Sequence, residues 1–270
     1  PGHPVYFIAE MSANHGGDFD RAVRILEEAK VCGADAVKLQ TYTAETMTIP
    51  CDNEYFTITG SPWDGQSLHD LYGEAHTPWE WQPRLKEIAD GLEIDLFSSP
   101  FDETAVDFLE QMNVPAYKVA SFEIVDIPLL KKVASTGKPV ILSTGMASLA
   151  EIDEAVTTLL EGGTDQIALL KCTSAYPALP GSMNLRTIPY LAQSFGVVAG
   201  LSDHSLDVAV PVAAVVLGAS IVEKHFTLSR KQPGPDSAFS LEPSELRNPI
   251  EAIRVAEQAM GRVRFGTHES

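Results

Sequence analysis

Four lysines stand singly near the C-terminal ends of apolar, β-prone runs: Lys38 in Val37-Lys38-Leu39-Gln40, Lys118 in Tyr117-Lys118-Val119-Ala120, Lys171 in Leu169-Leu170-Lys171-Cys172 and Lys224 in Val222-Glu223-Lys224-His225. A lysine is costly to bury unless an anion neutralises it. Several such ends converging would make a pocket for a phosphorylated or carboxylated small molecule. Side chains alternate along a strand, so residues two apart share a face. The inward set then reads Glu10, Lys38 with Gln40, Ser98, Lys118, Ser143, Lys171 with Thr173, Ser202 with His204, and Glu223 with His225. Lys224 falls on the opposite face. Any one of these could equally be a solvated strand end or an internal ion pair. A polar residue at the same end of every strand favours a site.

Ser202-Asp203-His204 and Glu223-Lys224-His225 end consecutive β-runs. Neighbouring strands lie about 4.8 Å apart, which lets two imidazoles converge on one ion. Two histidines with oxygen ligands suit Mn, Co, Fe or Zn better than Ca. Glu10 or Glu223 could complete or orient the shell. For an anion, Lys38, Lys118 and Lys171 supply charge, and Ser98, Ser121, Ser143 and Thr144 supply hydroxyls. The Ser143-Thr144-Gly145 turn could add backbone N–H groups. No GxxxxGK[ST] loop, GxSxG elbow or CxxC pair is present.

The elements that must position these residues alternate. Strand candidates are Val5–Glu10, Ala36–Gln40, Asp95–Ser98, Ala116–Ala120, Pro139–Ser143, Ile167–Cys172, Val197–Leu201 and Ile221–His225. Helical patterns fill the gaps at Phe19–Cys32, Pro78–Asp90, Glu103–Met112, Pro128–Ser135, Leu149–Leu160, Leu185–Ser194, Val208–Leu217 and Pro243–Met260. Ser148 with Glu151 makes a capping box, and Pro78 and Pro128 suit first turns. Gly33, Gly91, Gly137, Gly162 and Gly218 follow helical runs as left-handed caps would. The expected fold is α/β: a single (β/α)8 TIM barrel over residues 1–270. A doubly wound sheet is the runner-up, but no GxGxxG follows the first strand. The connection over residues 42–77, with Trp63, Asp64, Leu71 and Tyr72, is long enough to be a lid or specificity element.

The 270-residue chain carries 19 Lys and Arg against 37 Asp and Glu, a formal net charge of -18. That balance argues against nucleic acid or an anionic membrane as partner. The apolar runs are strand-length, short of the roughly 20 residues of a membrane helix. Cys32, Cys51 and Cys172 read as reduced thiols, and a cytoplasmic location is expected.

With these residues in view, the sequence resembles the sialic acid synthase family of phosphoenolpyruvate-condensing barrels. The resemblance runs through Ile8-Ala9-Glu10 with Asn14-His15, Gly33-Ala34-Asp35-Ala36-Val37-Lys38 with Gln40, and Tyr117-Lys118-Val119-Ala120-Ser121 with Glu123. It continues through Ser143-Thr144-Gly145-Met146, Lys171-Cys172-Thr173 with Tyr176-Pro177, Ser202-Asp203-His204 and Glu223-Lys224-His225-Phe226. Within the family, Gln40-Thr41-Tyr42-Thr43, the Trp63-Asp64 to Trp81 segment and Asp236-Ser237-Ala238-Phe239-Ser240-Leu241 are most similar to the pseudaminic acid branch. Pro233-Gly234-Pro235 and Leu241-Glu242-Pro243 look more like the neuraminate branch.

The resemblance implies condensation of phosphoenolpyruvate with an N-acetylated amino sugar, a 2,4-diacetamido-2,4,6-trideoxy-altrose on the pseudaminic acid reading. The product is a nonulosonic acid, with phosphate leaving by C–O cleavage. N-Acetylneuraminate or legionaminate synthesis is the alternative. It implies a divalent ion (Mn, with Mg or Co possible) on His204 and His225. Glu123, Glu10, Lys118 and Glu223 take catalytic roles. Lys38, Lys118, Ser121, Ser143 and Ser202 hold the phosphate and carboxylate, and Gln40, Asn14, Tyr176, Asp236 and Phe239 surround the sugar; Ser98, Lys171 and Thr173 are further substrate-binding candidates from their strand positions. Family members usually continue into a small C-terminal antifreeze-like domain. The sequence ending at Ser270 is expected to be the barrel without it, paired as a homodimer. A Schiff-base aldolase using Lys118 or Lys171, and a sugar-sensing barrel without chemistry, are more distant readings.

Overall fold

The computed structural model describes residues 3–60, 64–232 and 234–266, so expectations resting on Trp63 and Pro233 lie outside it. Strands β1 (Tyr6–Glu10), β2 (Ala36–Thr41), β3 (Asp95–Pro100), β4 (Tyr117–Val119), β5 (Val140–Ser143), β6 (Ile167–Cys172), β7 (Val198–Asp203) and β8 (Ile221–His225) pair in chain order. Every pairing is parallel, and β1 closes on β8, which excludes the doubly wound sheet.

Helices α1 (Phe19–Cys32), α2 (Ala44–Met47), α3 (Leu68–Ala75), α4 (Gln82–Gly91), α5 (Glu103–Gln111), α6 (Ile127–Ala134), α7 (Leu149–Gly162), α8 (Thr187–Phe195), α9 (Ala209–Val216) and α10 (Pro243–Met260) make up the connections. Of these, α2 and α3 were not anticipated. They lie in the long β2 connection, where an antiparallel bridge joins Thr57 to Ser67. Tyr42 is buried beneath them, edge-on to Tyr72 of α3 at 5.8 Å and to Phe101 at 5.3 Å between ring centroids. This aromatic contact seats α3 over the barrel mouth.

Local signals account for most boundaries. Asp18 accepts from Arg21 N at the start of α1, and Gly33 ends it with a left-handed φ of 93°. The Ser148/Glu151 capping box opens α7, and Pro128 sits in the first turn of α6. Pro78 instead precedes a 3-10 turn, Trp79–Trp81, ahead of α4. Gly91 and Gly162 are not left-handed caps. Gly91 is the last residue of α4, and Gly163 (φ 110°) caps α7. Gly162 is needed for closeness: a Cβ there would come within 2.4 Å of Ala134 Cβ on α6.

Strand register fixes which side chains share the barrel interior, because parallel partners in register point the same way. Glu10 pairs with Lys38 and His225, Gln40 with Ser99, Lys118 with Ile141, Ser143 with Leu170, Cys172 with Ser202, and Ser202 with Glu223. Apolar Ile8, Phe97, Ile141 and Leu170 fill the middle of the barrel, and the polar residues cap it at the C-terminal ends. Gly200 makes room for that filling, since a Cβ would meet Leu170 Cδ2 at 2.6 Å.

Candidate active site

Two adjoining cavities open at the C-terminal face, where barrel sites are built from strand ends and loops. The inner one, about 70 Å³, is lined by Glu10, Lys38, Gln40, Lys118, Ser121, Ser143, Cys172, Ser202, His204, Glu223 and His225 among others. The outer one, about 580 Å³, is lined by Ser12, Gln40, Tyr42, Leu71, Tyr72, Ala75, Tyr176, His225, Asp236, Ala238 and Phe239 among others. Gln40, Tyr176 and His225 border both cavities.

Buried charges in the inner cavity neutralise one another. Lys38 Nζ lies 2.5 Å from Glu10 Oε2 and 3.7 Å from Glu223 Oε1, and donates to Ser99 Oγ at 3.2 Å. The Glu10 contact is an ion pair between two buried side chains. Gln40 Nε2 donates to the other Glu10 oxygen at 3.1 Å. Burial lifts the Glu10 carboxyl to about 7, against the pull of Lys38. Burial acts on Glu223 the same way, but the ammonium groups of Lys118 and Lys38 outweigh it and hold that carboxyl below its usual range. Lys118 donates to Ser143 Oγ at 2.7 Å, and burial depresses its ammonium. The cavity therefore presents two lysines with hydroxyls from Ser121, Ser143 and Ser202, which suits an incoming anion.

His204 and His225 face each other across strands β7 and β8, ring centroids 5.4 Å apart. Burial holds His204 below its ordinary range and His225 well below it, so both rings are neutral near pH 7. His204 Nδ1 is 2.9 Å from Thr173 O. A carbonyl only accepts, so that nitrogen carries the proton and Nε2 keeps its lone pair. His225 Nδ1 is shut off from solvent without a partner among the described residues. Tyr176 stacks on His204 at 4.2 Å, and Phe239 packs against Tyr176 at 4.9 Å and His225 at 5.0 Å. Two neutral imidazoles with free lone pairs fit a divalent ion. Among the described residues no group of three metal-ligating side chains surrounds the point, so further ligands must come from substrate or solvent.

Five expected site residues, Ser98, Lys171, Thr173, Asn14 and Glu123, line neither cavity. Ser98 pairs in register with Tyr117 and faces the helix layer, its Oγ 2.6 Å from Thr41 Oγ1, which donates to Gln82. The inward serine is Ser99. Lys171 and Thr173 are likewise one position out of phase, and Cys172 is the β6 residue that lines the inner cavity. Lys171 Nζ donates to Cys172 O at 2.5 Å and Thr173 Oγ1 at 3.2 Å, outside the barrel. Asn14 is fully buried, and its Nδ2 is spent on Phe226 O and Ser240 Oγ, holding two loops together instead of facing a ligand. The backbone N–H groups expected for a phosphate are also used, Thr144 N by Leu170 O and Gly145 N by Ser121 Oγ.

Glu123 stands on a 3-10 turn after β4 and lines neither cavity. Its carboxyl is raised by burial, with Lys118 and Lys38 pulling the other way. Lys224 faces the helix layer as its parity requires, pairing with Asp203 Oδ2 at 2.6 Å. Ser12, unforeseen, donates to Asp236 Oδ2 and fixes that carboxylate in the outer cavity wall. Nothing in the local sequence distinguishes Ser12 from an ordinary turn serine.

A parallel barrel with a cation-lined pocket inside its C-terminal mouth defines an anion-handling TIM barrel. Residues 25–265 match the NeuB family, and the chain belongs to that family. It is 44% identical over 258 residues to the pseudaminic acid synthase of Helicobacter pylori, covering 96% of this chain and 76% of that protein. Identity to the pseudaminic acid synthase of Campylobacter jejuni is 43%, covering 95% and 75%. The crystal structure of the N-acetylneuraminic acid (sialic acid) synthetase from Leptospira borgpetersenii, in complex with citrate, superposes with a TM-score of 0.88 at 33% identity. That match covers 98% of this chain and 88% of the other.

Proposed function

We propose that this chain condenses phosphoenolpyruvate with a 2,4-diacetamido-2,4,6-trideoxy sugar of the altrose series, giving pseudaminic acid and phosphate. The observation that carries the reading is the junction of the two cavities. An anion seated between Lys38 and Lys118 meets a sugar in the outer chamber beside His225 and Tyr176. The identity to pseudaminic acid synthases supports the choice of sugar.

In this reading Lys38, Lys118, Ser121, Ser143 and Ser202 hold the phosphate and carboxylate and orient C3 of phosphoenolpyruvate toward the aldehyde carbon. Held geometry of this kind replaces a bimolecular encounter. The C3–C1 bond forms as the alkene electrons leave C2, the aldehyde oxygen takes a proton, and water adds to C2. The resulting tetrahedral centre expels phosphate with its bridging oxygen. His204 and His225 would hold a divalent cation, Mn on this proposal, which when bound polarises the aldehyde as a Lewis acid. Glu10, with a carboxyl near 7, takes the proton of the attacking water, and Glu223 keeps Lys38 charged and aligned. The aldehyde oxygen takes its proton from solvent, since Glu123, the carboxyl expected for that step, lines neither cavity. Gln40, Tyr176, Asp236 and Phe239 border the sugar.

The proposal includes a cytoplasmic homodimer. All three cysteines are unpaired, and no helix among the described residues is long and apolar enough to cross a membrane. Phosphate release with phosphoenolpyruvate tests the reaction across a panel of 2-acetamido sugars. Turnover with the trideoxy-altrose sugar is expected. Turnover confined to N-acetylmannosamine or to the legionaminate precursor would replace this reading by the corresponding synthase.

A further inference from the structure

Lys171 is left without a role once the inner cavity is assigned. Its ammonium emerges on the outer side of β6 into a separate cavity of about 800 Å³, lined by Thr144, Met146, Leu185, Arg186, Thr187 and Tyr190 among others. No lining residue is acidic, although the chain as a whole has a formal net charge of -18. Among the described residues Lys171 meets no carboxylate: its partners are Cys172 O and Thr173 Oγ1, both neutral, which leaves one ammonium proton to donate. Burial without a counterion pulls that ammonium below its ordinary range. Arg186 is an exposed guanidinium on the rim. Two cations in one concavity, without an acidic partner among the described residues, suit an anion, and the volume lies within the roughly 300–1,000 Å³ of small-molecule pockets. Tyr190, Leu185 and Met146 offer the remaining wall as aromatic and apolar surface, suited to a flat organic group.

We propose that Lys171 and Arg186 form a second anion site, distinct from the inner cavity, for a phosphate monoester of nucleotide size. The phosphate lies between the two cations and the organic group lies against Tyr190. Only Cys172 borders both this cavity and the inner one.

Calorimetric titration with uridine monophosphate, and separately with inorganic phosphate, tests the site. The proteins compared are wild type, Lys118→Met in the inner cavity, and Lys171→Met/Arg186→Ala. One-to-one nucleotide binding is expected in wild type, kept within twofold in Lys118→Met and weakened at least tenfold in the double variant. Arg186→Ala alone, at an exposed position, should weaken it at least threefold and guards against a folding defect. Absence of nucleotide binding to wild type, or loss in Lys118→Met with retention in the double variant, overturns the proposal. Inorganic phosphate binding as tightly as the nucleotide overturns its organic half.

Discussion

Lys38 and Glu10 form an ion pair 2.5 Å long inside the barrel, yet burial leaves the carboxyl near 7. A carboxyl near 7 is poised to exchange a proton at neutral pH, while Lys38, its ammonium raised by Glu10 and Glu223, stays charged. The folded value lies above the ordinary 4.5, so Glu10 favours the fold below pH 4.5, and that contribution is lost as pH rises through about 7. The stability of Glu10→Gln relative to wild type should therefore rise as pH goes from 4.5 to about 7, measured by denaturant titration at several pH values. The depressed histidines titrate the opposite way in both proteins and cancel in the comparison. The same variant should lose the rising limb of the pH–rate profile. A limb that persists in Glu10→Gln assigns the water proton to another group.

His225→Ala removes one of the two facing imidazoles. Turnover should fall to background, and the metal retained after gel filtration, read by plasma emission, should fall with it. Chelator treatment of wild type should give the same loss, restored by manganese. Full activity without bound metal would refute the role given to the pair.

Lys224 and Asp203 are paired outside the catalytic cavity, with side-chain exposures of 1% and 0%. Removing one partner from a buried pair costs about 3–5 kcal/mol. Lys224→Met should lower stability by that order, and Lys224→Met/Asp203→Asn should recover part of it. Equal losses in the single and double variants would mean that the packing of the lysine stem, not its charge, is what matters.

Gly145 has no room for a side chain: a Cβ would sit 2.5 Å from Ser174 Oγ and 2.8 Å from Ser121 Oγ. Gly145→Ala should push Ser121 into the anion pocket. The KM for phosphoenolpyruvate should rise about tenfold, equivalent to roughly 1.4 kcal/mol. An unchanged KM would show that Ser121 does not contact the anion.

Leu71, Tyr72, Ala75 and Ala238 give the outer cavity an apolar wall. Such a wall prefers a sugar that has lost hydroxyls. A misplaced methylene or hydroxyl in such pockets is worth about 10–200-fold. Leu71→Asn should cut kcat/KM for the trideoxy sugar by about tenfold and leave that for N-acetylmannosamine within threefold. Equal losses on both sugars would remove α3 from selectivity.

The barrel was legible in the sequence because each strand is an apolar run bracketed by amphipathic segments, and all eight strands formed within a few residues of expectation. Parity was harder. In β2, Lys38 and Gln40 alternate with Val37 and Leu39, and the period of two shows which residues turn inward. In β6 the run Ile167-Ala168-Leu169-Leu170 is apolar throughout, since both faces of a barrel strand are buried. Nothing local then distinguishes Lys171 from Cys172. The adjacent serines Ser98 and Ser99 hide their phase in the same way. Pairing partners resolve both cases, through Tyr117 for Ser98 and Ser202 for Cys172. Helices α2 and α3 were missed because one is a single turn and the other spans eight residues, too short for a periodic stripe.

One stave of the barrel works as a partition wall. Cys172 lines the inner room and touches the outer one, while Lys171 lines the outer room alone. Lengthening that stave by a single residue ahead of position 171 would rotate both tenants through the wall. A cation would then enter the central chamber and a weak nucleophile the outer one, with the surrounding architecture unchanged. A one-codon indel there is thus a route by which related barrels could move charge between chambers without inventing a new residue.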